Sequence, residues 1–315
     1  MIPRLDIHFS LCQQWQFMFG KPYTPKNDEF LFNHSRSAIM LVLKATGLPA
    51  GAGVGVMAYN CHTVFNAVEQ AGYTPVFIDI TDDLKLDIED LRKKVDSISA
   101  LVVTHLFGLV NDVQRIKKEF PNLIIIEDCA HAYGIEQLYS DFATFSIGQG
   151  KLPSIGDGGI LCVINQKYLS NVESQYKEMP DYSTRQSVKL FFKLWFNSIM
   201  HSRLLYGWIT LPLKLKRKVS SGKEIIKPMK MCRGISNIYS FEKDKVKLRN
   251  PFMLVLHCHN PKEEQIKYRK KGIDTDTHFA NSILWAKEFG YIQGQCQNTE
   301  KLINHLLMVP TYFKQ

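Results

Sequence analysis

The chain has no Cys-x-x-Cys pair, and its seven cysteines (Cys12, Cys61, Cys129, Cys162, Cys232, Cys258 and Cys296) are odd in number and scattered. An odd, dispersed set argues against a disulfide framework, and the missing close pairs argue against a structural zinc site; no metal is expected. Long apolar runs are missing too. No uninterrupted stretch approaches the roughly 20 residues that span a bilayer. The opening Met1-Ile2-Pro3-Arg4-Leu5-Asp6 has no continuous apolar core of the kind a signal peptide carries. A reducing cytoplasm is the expected setting. There is no internal repeat and no low-complexity tract. No nucleic-acid motif accompanies the basic residues, so no nucleic-acid partner is expected.

Acidic residues are scarce locally. Lys plus Arg exceed Asp plus Glu by 39 to 30, and between positions 214 and 233 eight basic residues face Glu224 alone. Much of the net charge of +9 is therefore concentrated rather than spread.

The 315 residues, 45% of them hydrophobic, suffice for one large domain and a smaller one. Apolar runs at 54–58, 75–79, 100–105, 122–127, 142–147 and 159–164 alternate with helical spacing at 63–71, 87–95 and 112–120. This alternation predicts a doubly wound α/β fold with a mainly parallel sheet. Asp87 and Asp112 stand where helix caps belong. Beyond Ile164, 166–179 and 185–205 read as helices, 252–257 as a strand, and 261–271, 281–289 and 298–306 as helices. Ser220-Ser221-Gly222 and the scattered charges up to about residue 250 suggest a linker.

Two residues suggest chemistry. Asp128 ends the apolar run 122–127, where open α/β sheets place ligands. Lys151 follows 23 positions later, between Gly148-Gln149-Gly150 and Ile155-Gly156-Asp157-Gly158-Gly159. A lysine amine can hold an aldehyde cofactor as a Schiff base, and an aspartate can keep a pyridine nitrogen protonated, so the pair suggests pyridoxal phosphate. Each piece also has a plain structural reading. Asp128 alone is as readily a cap, a lone His131 is more often structural, and Ser35-Arg36-Ser37-Ala38 can simply start a helix. Ser146, five residues before Lys151, can donate to a phosphate together with backbone amides of Arg36, Ser37 and Ala38 at that helix start.

These segments, with Tyr59-Asn60-Cys61-His62-Thr63, His105-Leu106-Phe107-Gly108, Glu127-Asp128-Cys129-Ala130-His131 and Phe145-Ser146, follow one another as in the DegT/StrS-like (DegT/DnrJ/StrS) nucleotide-sugar aminotransferases. The chain resembles that family over roughly 30–165, and more loosely at Lys271-Gly272-Ile273-Asp274-Thr275 and from Val309-Pro310-Thr311-Tyr312. The resemblance implies a fold-type-I enzyme with a seven-stranded-type sheet. The large cofactor-binding domain would span 1–220 and the small C-terminal α/β domain 221–315. It implies pyridoxal 5'-phosphate as cofactor, with Lys151 as the Schiff-base lysine, Asp128 at the pyridine nitrogen and His131 beside the ring oxygen. Ser146, Arg36, Ser37 and Ala38 would serve the phosphate. Asn60 and Cys61 fall where the family often covers the cofactor face with an aromatic or histidine, leaving Tyr59 or His62 as substitutes. The retained lysine favours transamination, since dehydratase relatives carry histidine there.

The resemblance further implies a nucleotide-linked keto sugar as substrate, glutamate as amino donor, a homodimer, and a role in cell-surface polysaccharide or amino-sugar biosynthesis. Arg36 or Arg185 would meet the diphosphate. The family's Asn-Tyr-Arg-Met-like segment is not found after Lys151. In its place, 185–218 is basic and aromatic, and reads either as a buried dimer or domain interface, the favoured reading, or as a peripheral contact at the inner membrane face. A catalytically impaired, scaffolding relative is the alternative function.

Overall fold

The computed structural model describes residues 1–216, 219–245 and 253–311. Arg217 and Lys218 of the basic run, Pro251 and Phe252, the latter the first residue of the last expected strand, and Tyr312 lie outside the described residues.

Seven strands form one sheet: β1 (Glu29–Phe32), β2 (Gly53–Met57), β3 (Thr74–Ile78), β4 (Ala100–Thr104), β5 (Ile124–Asp128), β6 (Phe142–Ser146) and β7 (Gly159–Val163). Their order is β1-β7-β6-β5-β4-β2-β3. Strands β2 to β6 run parallel, while β7 lies antiparallel to β6 and β1. All six expected strands of this region are present, and every residue of β4 is buried, as a parallel strand covered on both faces requires. The helices between them are α2 (Ser35–Ala45), α3 (His62–Ala71), α4 (Ile88–Lys94) and α5 (Val113–Glu119), after an N-terminal α1 (Leu11–Phe19). Asp87 accepts the Glu89 and Asp90 amides and Asp112 accepts that of Arg115, so both expected caps form.

After the sheet come α6 (Leu169–Lys177), α7 (Thr184–Met200) and a chain of short turns: α8 (Arg203–Leu205), Tyr206–Thr210 and α9 (Leu211–Leu215). Then follow α10 (Arg233–Glu242), β8 (Met253–His257), α11 (Pro261–Lys270), α12 (Ser282–Lys287), α13 (Gln297–Leu302) and β9 (Leu306–Pro310). Strands β8 and β9 form a separate antiparallel pair. Leu306 and Met308 of β9 nevertheless share one apolar cluster with the large sheet. Asp79, just past β3, accepts both the amide and the hydroxyl of Thr299, fixing α13 by an acid at its N-terminus.

Four elements depart from the expectations. β1 is too short to stand out, and α1 went unread. The stretch expected as a helix at 298–306 is α13 followed by β9. The segment expected as a linker is tied down: Asn66, Gln70 and Asn33 bond the backbone of Gly222, Ile226 and Met229, and α10 buries Ile235 and Ile238 in a core with Phe9, Phe17 and Leu194. Polar side chains of α3 and the loop before α2 hold backbone that composition alone leaves loose.

Gly159 lets β7 start against the first turn of α2. A Cβ there would stand 2.3 Å from the Ser35 nitrogen and 2.4 Å from the His34 carbonyl carbon. Both are backbone atoms that cannot swing away. Gly159→Ala is expected to lower stability by about 1–3 kcal/mol, read as the shift in a urea unfolding curve.

Candidate active site

The carboxyl ends of the parallel strands open onto a cavity of about 700 Å³, where open α/β sheets place their ligands. Asp128, the last residue of β5, sits in its wall and is 4% exposed. One carboxylate oxygen accepts the Ala130 amide and the other the Thr104 hydroxyl. Thr104 in turn accepts the Asn60 side-chain amide, so β2, β4 and β5 together orient one carboxylate. Burial raises the Asp128 pKa, against the lowering effects of Ala130, the Lys151 charge and Thr104. A cation in the cavity would relieve that burial cost.

Lys151 lies in the turn after β6, with its Nζ 2.6 Å from His131 Nε2. The His131 Nδ1 accepts the Phe107 amide at 3.1 Å. Since Nδ1 receives a proton donor, the neutral ring carries its hydrogen on Nε2, and Nε2–H can only donate to an uncharged Lys151 amine. Both groups are pushed that way. Burial lowers the Lys151 pKa, partly offset by Cys61 and Asp128, and burial together with Lys151 and His278 pushes His131 well below the ordinary imidazole value. The His131 ring lies nearly parallel to those of Phe107 and Phe279, with centroids 5.5 and 6.1 Å away. Both phenylalanines hold left-handed backbone, with φ of 56° and 59°. Such strain costs on the order of 1 kcal/mol per residue and gathers at functional sites.

Another part of the wall suits an anion. The residue before α2, His34, does not cap it; its Nδ1 faces Asp157 at 2.8 Å. Ser37 and Ala38 donate their amides to the His34 carbonyl and do not line the cavity. Ser35, Arg36 and Ser146 do line it, which leaves the first two residues of α2 and one hydroxyl as the phosphate donors. Arg36 pairs with Glu224 at 3.2 Å.

Of the residues singled out in the sequence, Arg36, Cys61, Asp128, His131, Ser146 and Lys151 therefore share one cavity, while Ser37 and Ala38 stand one step behind it. Tyr59 and His62 do not line it: the Tyr59 hydroxyl donates to the His278 carbonyl and His62 packs on Trp285. Arg185 is exposed and absent from the wall, and Lys193 of α7 stands there instead. Sequence reading placed Asn60 at the cofactor face but not in the line that orients Asp128, and it missed Thr104 and the loop Asp276, Thr277, His278 and Phe279. The signal for that loop was its position straight after Gly272-Ile273, already matched to the family. His105, Glu127 and Cys129 also come within 4.8 Å of one another. The His105 ring accepts the Asn111 amide on one nitrogen and meets Glu127 with the other, which makes these two a hydrogen-bonded pair in the core beside the buried Cys129.

The donor set fits pyridoxal phosphate: a buried carboxylate for the pyridine nitrogen, a lysine of lowered proton affinity for the aldehyde, and a helix start with Ser146 for the phosphate. A family model for the DegT/DnrJ/EryC1/StrS aminotransferases matches residues 30–314, and the chain belongs to that family. GDP-perosamine synthase of Escherichia coli O157:H7 is 31% identical over 142 residues, which are 42% of this chain and 39% of that protein. The chain thus matches well under half the length of this curated relative. The structure of E. coli GDP-4-keto-6-deoxy-D-mannose-3-dehydratase with bound hydrated PLP superposes with a TM-score of 0.70 at 14% identity, covering 99% of this chain and 95% of that one. The sugar aminotransferase CalS13 of Micromonospora echinospora gives 0.62 at 13% identity, covering 98% and 94%. The family, the fold-type-I class and the cofactor expected from the motifs agree with these findings.

A lysine whose pKa is lowered on folding binds its proton more weakly in the folded than in the unfolded chain. That opposes folding below the ordinary lysine range, and the penalty fades as pH rises through it. Cofactor-free wild type is therefore expected to gain stability relative to Lys151→Met between neutral and strongly alkaline pH. The gain is about 1.4 kcal/mol for each tenfold of proton affinity lost on folding. Paired urea unfolding curves at the two pH values measure it, and a pH-independent difference would refute the depressed amine.

Proposed function

We propose that the chain is a pyridoxal-phosphate-dependent aminotransferase acting on a nucleotide-linked keto sugar, with glutamate as donor. The observation that carries this is Lys151 Nζ, held against His131 Nε2 in the cavity that also contains Asp128. In this reading residues 1–220 form the cofactor unit, and residues 221–315 supply the loop at 276–281 to the cavity wall.

When bound, pyridoxal phosphate supplies an aldehyde for amine exchange and a ring that withdraws electrons from the substrate carbon. Asp128, oriented by Thr104 and Ala130, holds positive charge at the inner end of the site. Lys151 Nζ, whose proton affinity burial lowers, accepts and returns the proton of the substrate carbon. His131 Nε2–H aims the lysine lone pair, and the His131 ring is held by Phe107 and Phe279. Ser35, Arg36 and Ser146 anchor an anionic group. Lys193 and Arg36 are the cations on the wall that can meet a substrate diphosphate.

The test is the visible spectrum of the cofactor-loaded protein before and after glutamate, followed by product analysis with a panel of nucleotide-linked keto sugars. Glutamate should shift the spectrum, and one sugar should gain an amine. Lys151→Ala should abolish both, whereas Asp128→Asn should keep cofactor binding and lose roughly 10²–10³-fold in turnover, the usual cost of removing one preorganised electrostatic group. A cofactor that binds but does not respond to glutamate would leave the alternative, a catalytically impaired relative with a scaffolding role.

A further inference from the structure

The nine basic residues between Asp181 and Glu224 (Arg185, Lys189, Lys193, Arg203, Lys214, Lys216, Arg217, Lys218 and Lys223) have no acidic residue among them, and the remaining chain carries 30 basic and 30 acidic residues. The whole net charge of the protein equals that of this one segment. It is also where apolar side chains face outward. On α7, Val188, Phe192, Trp195, Phe196 and Ile199 are all exposed, Phe192 by 60% and Phe196 by 58%. At about 100° per residue they fall within roughly one 100° arc. Lys189 and Lys193, both exposed, follow along one border of that arc, and the exposed Arg185 stands in line with it at the start of the helix. The inner face of α7 is already used, with Leu190 and Leu194 buried in the core that also holds Phe17 of α1.

The same pattern recurs on α1. Leu11, Trp15, Met18 and Phe19 are exposed at the spacing of Val188, Phe192, Trp195 and Phe196, while Gln13 and Phe17 point inward. Phe191 of α7 joins the two helices by packing edge-on against Phe17, with centroids 5.4 Å apart. The turns beyond α7 extend the outward apolar surface, with Leu204 exposed by 82% and Trp208 by 87%, beside Arg203 and Lys216.

We propose that this surface is a docking face for an anionic lipid membrane, on which α7 and the turns 203–215 lie in the interface plane. An apolar, Trp- and Phe-rich stripe bordered by lysine and arginine fits the boundary between acyl chains and anionic head groups. No helix among the described residues is long and apolar enough to cross a bilayer, so the contact is peripheral. A second copy of the chain fits poorly, because a self-complementary contact would set two acid-free basic segments against each other. A nucleic acid would use the charges but leave the leucines, isoleucines and tryptophans in water.

The full chain is to be sedimented with vesicles of phosphatidylcholine alone and of phosphatidylcholine with phosphatidylglycerol. At least tenfold stronger partition to the anionic vesicles is expected, weakened by salt and accompanied by a blue shift of tryptophan fluorescence. The triple variant Phe192→Ser, Trp195→Ser, Phe196→Ser should lose tenfold or more of that binding with unchanged far-UV circular dichroism. Should it fold poorly, Arg185→Glu with Lys189→Glu, on exposed positions outside the cavity, should give the same loss. Equal partition to both vesicle types overturns the proposal, as does wild-type binding by both variants. Absence of vesicle binding also overturns it, whether the face instead binds RNA or holds a dimer that the triple variant converts to monomer in sedimentation velocity.

Discussion

A carboxylate buried at the end of a parallel strand is the constraint on which the rest of this site depends. Asp128 is nearly excluded from water, and desolvation outweighs its hydrogen bonds and nearby charge in setting its proton affinity. Such a group is costly unless its oxygens are oriented and a cation completes it. Its orientation comes from three adjacent strands: Asn60 after β2, Thr104 ending β4, and Asp128 ending β5, linked in one hydrogen-bonded line. That line exists because β2, β4 and β5 are parallel neighbours whose carboxyl ends finish at the same edge.

Lys151 meets the opposite requirement. Desolvation lowers its pKa, while Cys61 and the nearby Asp128 charge partly offset that. His131 decides which atom holds the proton. With Nδ1 committed to the Phe107 amide, only the Nε2–H tautomer fits, and that tautomer cannot face a charged ammonium. Two residues of opposite natural charge thus share one cavity with perturbed proton affinities, and environments that separate two titratable groups in this way are how acid and base roles are assigned.

Much of this was legible in the chain because parallel strands buried on both faces leave continuous apolar runs. β4 and β5 read directly, and Asp128 at the end of β5 was then placed at the ligand edge by topology alone. Asp87 and Asp112 were legible as caps for the same local reason. What escaped depended on contacts distant in sequence. Thr104 is an ordinary strand residue until Asn60 and Asp128, 44 and 24 positions away, are seen to meet it. The segment around Gly222 reads as a linker until Asn66 and Gln70 of α3 bond its backbone. Ser37 and Ala38 were assigned to the anion site from the helix start. A helix exposes free amides only in its first residues, and here theirs already serve the His34 carbonyl.

Helix α7 joins the two halves of the functional reading. Its buried face is fixed in the core by Leu190 and Leu194, and Asn197 donates to the side chain of Gln149, two residues before Lys151. Its basic border brings Lys193 to the cavity wall, 3.8 Å from Asp157, and its apolar arc faces outward. One rigid helix therefore couples the outer surface to the turn that carries the lysine. If the arc lies on a lipid surface, the orientation of the cavity relative to that surface is set by the geometry of α7, since a helix presents its faces at fixed angles. Membrane contact would then determine the direction from which an anionic ligand approaches Lys193 and Arg36, with no change in the residues that line the cavity around Lys151.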